Sequence, residues 1–174
     1  MKRILLILLS LVVMTTFGCS RGSQAGLGQF AGTWKTTYSI FNARGGRVST
    51  GQLTVKQLSS DTVTFGESSS VVTGVGQFGV PNMQTTSFEV TLIQGASNYL
   101  LSLKVDGQGV LDNFPLTHSA SEGFNGQGSV ALDGKQRPVT ASIKKDGAGY
   151  VWKISADDAG GPKHLYEFSF KEKS

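Results

Sequence analysis

Cysteine is almost absent from this chain: Cys19 is the only one among 174 residues, so no disulfide forms within a single copy. Histidine is nearly as rare. His118 and His164 lie far apart, and metal sites need three or four convergent ligands, so a histidine-based metal or catalytic centre is a weak expectation. The acidic pair Asp157-Asp158, a short turn before His164, reads as turn chemistry. No serine stands in a Gly-x-Ser-x-Gly context. The Gly74–Gly79 run has dinucleotide-fingerprint spacing, but Val80-Pro81-Asn82 follows where a helix N-terminus must hold the phosphates. No enzymatic activity and no cofactor are therefore expected. Past residue 19 there is neither a long apolar run nor a sustained helical repeat.

The one apolar run is at the start. Lys2 and Arg3 precede Ile4–Met14, broken only by Ser10, and Thr15-Thr16-Phe17-Gly18 leads into Cys19. This is the layout of a secretory signal, too short for a permanent membrane span. Gly18-Cys19 resembles the lipobox of bacterial lipoproteins, with Thr16 where Leu is usual and Phe17 where a small residue is usual. That resemblance implies cleavage before Cys19 and acylation of its thiol by a palmitate-like chain. Ordinary signal-peptidase cleavage is the alternative, since Thr16 and Gly18 also suit that enzyme. The expected division is a signal at 1–18, a lipidated cysteine with a flexible tether at 19–28, and one domain at 29–174. Ser20 in place of Asp after the cysteine implies, by the same resemblance, the outer membrane of a bacterial envelope.

Two of the 16 Lys and Arg residues leave with the signal, so the remainder carries 14 basic against 12 acidic residues, a net +2. Scattered basic residues at that balance exclude nucleic acid as a partner. The expected partners are the membrane through the N-terminal lipid, a small hydrophobic ligand and an envelope protein.

Short alternating runs between Gly, Asp, Asn and Ser clusters predict an all-β domain. Strands are expected over 33–41, 47–58, 62–66, 87–94, 99–105, 109–116, 128–132, 139–144, 149–155 and 164–171. In the second, the apolar phase shifts between Val48 and Leu53, predicting a bulge at Gly51. Asp106-Gly107, Asp133-Gly134 and Asp146-Gly147 are hairpin signals. Stretches 68–88, without a charge, and 112–128 read as long connections that serve function, rimming a barrel mouth or docking a partner; the alternative is that Val71–Val75 is a further strand and the rest loop. The connections leave no room for crossover helices. A single antiparallel up-and-down β-barrel of 8–10 strands follows, closed to remove its edges. Lys35, Lys56, Glu89, Lys104, Lys144 and Lys153 share the face opposite the apolar stripe, which disfavours a barrel facing lipid.

Phe30-Ala31-Gly32-Thr33-Trp34-Lys35 resembles the opening of a calycin, the superfamily of lipocalins, fatty-acid-binding proteins and avidins. Gly32 and Trp34 match its Gly-x-Trp. The resemblance implies a lipocalin-like barrel with Trp34 across one end, and a basic residue of the last strand over that ring, for which Lys171 is nearest. The chain departs from the family in having no helical pair after the first strand and no helix after the barrel. The expected function is an envelope-anchored lipoprotein holding a small hydrophobic or amphipathic ligand in the barrel, lined by Trp34, Tyr38, Phe88, Leu101, Leu103, Trp152, Tyr166 and Phe168. The alternative is a filled barrel in which the same residues are core, docking an envelope protein through 68–88.

Overall fold

The computed structural model describes residues 26–42, 45–75, 81–132, 134–157 and 164–174, with the side chains of 69–75 and 81–86 left aside. The signal, Cys19 and the glycine run beyond Val75 lie outside the described residues.

Ten strands follow in order: β1 (Gly32–Asn42), β2 (Gly45–Ser59), β3 (Thr62–Val75), β4 (Pro81–Gln94), β5 (Tyr99–Val105), β6 (Gln108–Ser119), β7 (Gly123–Leu132), β8 (Lys135–Asp146), β9 (Gly149–Ala156) and β10 (His164–Lys173). Each pairs antiparallel with its sequence neighbours, and β10 pairs with β1, closing an up-and-down barrel. Period-two alternation drives this arrangement. Tyr99, Leu101, Leu103 and Val105 of β5 point inward, while Lys104 points out. The outward charges fall opposite one another across the ladders: Lys35–Glu172, Lys104–Glu89 and Lys153–Glu167 are cross-strand ion pairs. All six are well exposed, so they contribute little stability.

The Asp-Gly turns behave as their chemistry requires. Asp106 and Gly107 have φ of 51° and 74°, the left-handed pair of a tight hairpin, and Gly147 has φ of 57°. Residues 112–128 are not a long connection: β6 and β7 cover most of them and only 120–122 turn. The 68–88 segment likewise continues β3 and β4 well past the expected strand ends. β1 and β2 pair without a break from Gly32↔Val55 to Asn42↔Gly45, so no bulge occurs at Gly51. The inward set of β2 is Arg47, Ser49, Gly51, Leu53 and Val55, leaving Val48 63% exposed.

One end of the barrel is plugged. A 3₁₀ turn at Leu27–Gln29 crosses it, with Leu27 and Phe30 completely buried. The described core thus begins at Leu27, inside the stretch expected to be tether. All ten strands and the plug lie beyond Gly26, so a chain starting at Ser20 keeps the whole described fold.

Two ladders are much shorter than the rest. β2 and β3 pair only through Lys56↔Thr64, Gln57↔Val63 and Ser59↔Thr62. β6 and β7 pair only through Thr117↔Asn125, His118↔Phe124 and Ser119↔Gly123. Both seams are closed toward the plugged end and unpaired, among the described residues, toward the other.

Candidate functional site: the seam between β2 and β3

All eight residues expected to line a pocket are buried, none more than 4% exposed. Phe65, an aromatic of the same inward stripe, packs against three of them, Phe88, Trp152 and Phe168, and against Phe170. Its centroid lies 5.1 Å from Trp152, 5.1 Å from Phe170 and 5.2 Å from Phe168, each nearly edge-on. The Phe88 centroid lies 4.9 Å from that of Tyr38 and 5.0 Å from that of Phe168, tilted against both. Leu101 and Leu103 sit opposite Leu92 and Val90 in the β5–β4 ladder, in the same core. Trp34 lies at the plugged end, where its Nε1–H donates to the Phe30 carbonyl at 2.8 Å. Tyr166 lies toward the far end, its hydroxyl 3.4 Å from His164 Nδ1. Ring contacts thus fill the plugged half of the interior.

The cation over Trp34 is Lys173, not Lys171: its Nζ is 5.4 Å from the ring centroid. Trp34 pairs with Lys173 and Lys35 with Glu172, but Thr36 pairs with Phe170, so Lys171 is the extra residue of a bulge. That insertion reverses the parity of the last two strand positions. Lys173→Ala is expected to cost about 0.5–1 kcal/mol and to shift the Trp34 emission, read by thermal unfolding and fluorescence.

Toward the far end the interior turns polar. Arg47 and Ser49 face inward from β2, opposite Ile40 and Tyr38. Glu67 lies opposite the inward Phe88 and so shares its face. The Arg47 guanidinium carbon lies 5.3 Å from the Tyr38 centroid. Burial raises the Tyr38 hydroxyl above the ordinary phenol range; hydrogen bonding with Ser49 lowers it, Glu67 raises it and the Arg47 charge lowers it. Arg137, on β8, is 1% exposed, and His164 is 3% exposed.

The β2–β3 ladder ends at Lys56↔Thr64, and no pairing across that seam is described beyond it. A cavity of about 450 Å³ lies there, between Thr54 and Lys56 of β2 and Thr64–Ser68 of β3. Phe65 and Phe88 line it from the aromatic cluster, with Glu67 beside them; Lys56, Glu89 and Lys104 supply charge. At Gly66 the main chain of β4 comes close: a Cβ there would stand 2.5 Å from the Phe88 carbonyl oxygen. A smaller cavity, about 120 Å³, lies at the far end against His164, Tyr166 and Leu132. Sequence reading missed the seam because ladder length leaves no mark on hydrophobic alternation.

No protein-family model matches the chain, and no curated protein matches it. Among solved structures it is similar to a de novo designed fluorescence-activating β-barrel, with 9% identity over 85% of this chain and 100% of that one, at a TM-score of 0.37. It is also similar to a redesigned β-barrel, with 14% identity over 84% of this chain and 94% of that one, at a TM-score of 0.35.

Proposed function

We propose that this chain is an exported lipoprotein of the bacterial envelope, tethered through Cys19, whose lipocalin-like barrel takes up a small amphipathic molecule at the β2–β3 seam. The observation that carries the reading is the seam cavity: its size lies within the usual range for small-molecule sites, and it joins an apolar floor to charged walls. Phe65 and Phe88 offer aromatic faces to a greasy moiety, while Lys56, Lys104, Glu67 and Glu89 surround its polar part. Burying roughly 200 Å² of apolar ligand surface supplies about 5 kcal/mol before ordering costs, enough for reversible uptake. The anchor reading is supported by the apolar start, Gly18-Cys19 and the glycine-rich residues up to Gly28.

The test is fluorescence titration of the chain from Ser20 with anilinonaphthalene sulfonate, followed by displacement with fatty acids and lysolipids. Thr54→Trp places a large side chain in the cavity from an exposed strand position and leaves the core intact. Saturable 1:1 uptake by the native chain, weakened about tenfold or more by Thr54→Trp, supports the proposal. No saturable uptake, or equal uptake by the variant, overturns it.

The ring packing of the plugged half favours a second reading, a filled barrel that docks a protein of the envelope through 68–88. Absence of small-molecule uptake together with saturable binding of a purified envelope protein supports that alternative.

A further inference from the structure

Four charged side chains border the β2–β3 cavity, Lys56, Glu67, Glu89 and Lys104, so their formal charges cancel. Their pairing is less even. Glu89 and Lys104 face each other across the β4–β5 ladder, with Lys104 Nζ 3.6 Å from Glu89 Oε1. Glu67 shares the inward face of Phe88, and its carboxylate accepts a hydrogen bond from the Tyr38 hydroxyl. Arg47, whose guanidinium carbon is 5.3 Å from the Tyr38 centroid, acts on that same hydroxyl with the opposite sign. Each carboxylate is thus offset by a cation other than Lys56.

Lys56 is the charge left over. It makes no ion pair among the described residues. It holds the last paired position of the β2–β3 ladder, opposite Thr64 and beside the cavity. The Thr64 hydroxyl already donates to the Val90 carbonyl at 2.9 Å, so at this corner the ammonium is left to meet a ligand. An ammonium on a flexible stem, next to the rings of Phe65 and Phe88, favours an anion carried on an apolar body and opposes a cation. We infer that the seam takes up amphiphiles with a negatively charged oxygen-bearing head, and that Lys56 sets this preference. The preference rests on the proposed uptake at the seam and names the class of molecule taken up there.

Isothermal titration calorimetry on the chain from Ser20 tests this with two probes of equal chain length, decanesulfonate and decyltrimethylammonium, each kept below micelle formation. The native chain is expected to bind the sulfonate about tenfold more tightly than the ammonium. Lys56 is exposed, so its variants are expected to keep the native circular dichroism. Lys56→Gln is expected to weaken the sulfonate about fivefold and to leave the ammonium within about twofold, while Lys56→Glu reverses the order. Raising salt from about 0.05 to about 0.5 M is expected to narrow the native preference and to leave Lys56→Gln unchanged. Equal or reversed preference in the native chain, or a sulfonate preference that survives Lys56→Gln, overturns the inference. Uptake at the seam still stands in that case if Thr54→Trp weakens both probes. Saturable binding of neither probe overturns the uptake and the preference together.

Discussion

Phe65→Ala is expected to destabilise the barrel by about 3–5 kcal/mol, the largest single-residue loss in the core. The ring is 2% exposed and meets Trp152, Phe168, Phe170 and, at 6.4 Å, Phe88, joining both tryptophan-bearing and seam-lining parts of the interior. Truncation leaves a void bounded by flat rings on different strands, which collapse toward it poorly. Phe65→Leu keeps most of the volume and is expected to cost about 1–1.5 kcal/mol. Urea titration followed by tryptophan fluorescence separates the two. Similar midpoints for both variants would remove Phe65 from the centre of the packing.

Gly149→Ala is expected to be comparably damaging, by about 3 kcal/mol or more, although it adds only one carbon. A Cβ on Gly149 would collide with the Phe170 carbonyl oxygen, and Phe170 carbon lies only 2.7 Å away. Both atoms are main chain, so no rotamer change relieves them. Gly149 is buried at the first position of β9, beside the turn where φ of Gly147 is 57°. The displaced strand is β10 just before the Lys171 bulge, so the register that sets Lys173 over Trp34 is lost with it. Gly109→Ala is the control: nothing lies within 4 Å of its Cβ position, and a change within about 0.5 kcal/mol is expected. Thermal unfolding of the three chains decides the matter; equal midpoints would contradict the close approach.

Where hydrophobicity alternates cleanly, the sequence already contains the fold. β5 has the bounds read from Tyr99, Leu101, Leu103 and Val105, and the closing of ten strands follows from hairpin turns such as Asp106-Gly107. It misleads where the interior is polar. Arg47 and Ser49 face inward while Val48 faces out, so a reading that seeks apolar residues inside invents a bulge at Gly51. Of the outer parts of β3 and β4, Val71–Val75 was legible only as an alternative strand, because the surrounding Ser, Thr and Gly residues alternate nothing and backbone pairing defines the rest. Lys173 was hidden by the extra residue at Lys171, since parity arguments assume an unbroken period of two. Of the site, Phe88 and Tyr38 were legible as aromatic members of one stripe. Phe65 belongs to the same stripe, yet its place at the seam depends on which ladder stops early, and that is a property of two strands together.

The most direct measurement is amide chemical-shift mapping of the chain from Ser20 during titration with an amphipathic sulfonate. Shifts are expected to cluster at Thr54, Lys56, Gly66, Glu67 and Ser87, around the β2–β3 cavity. Shifts gathered instead at Leu132, His164 and Tyr166 around the far-end cavity, or none that saturate, would contradict the seam as the place of binding.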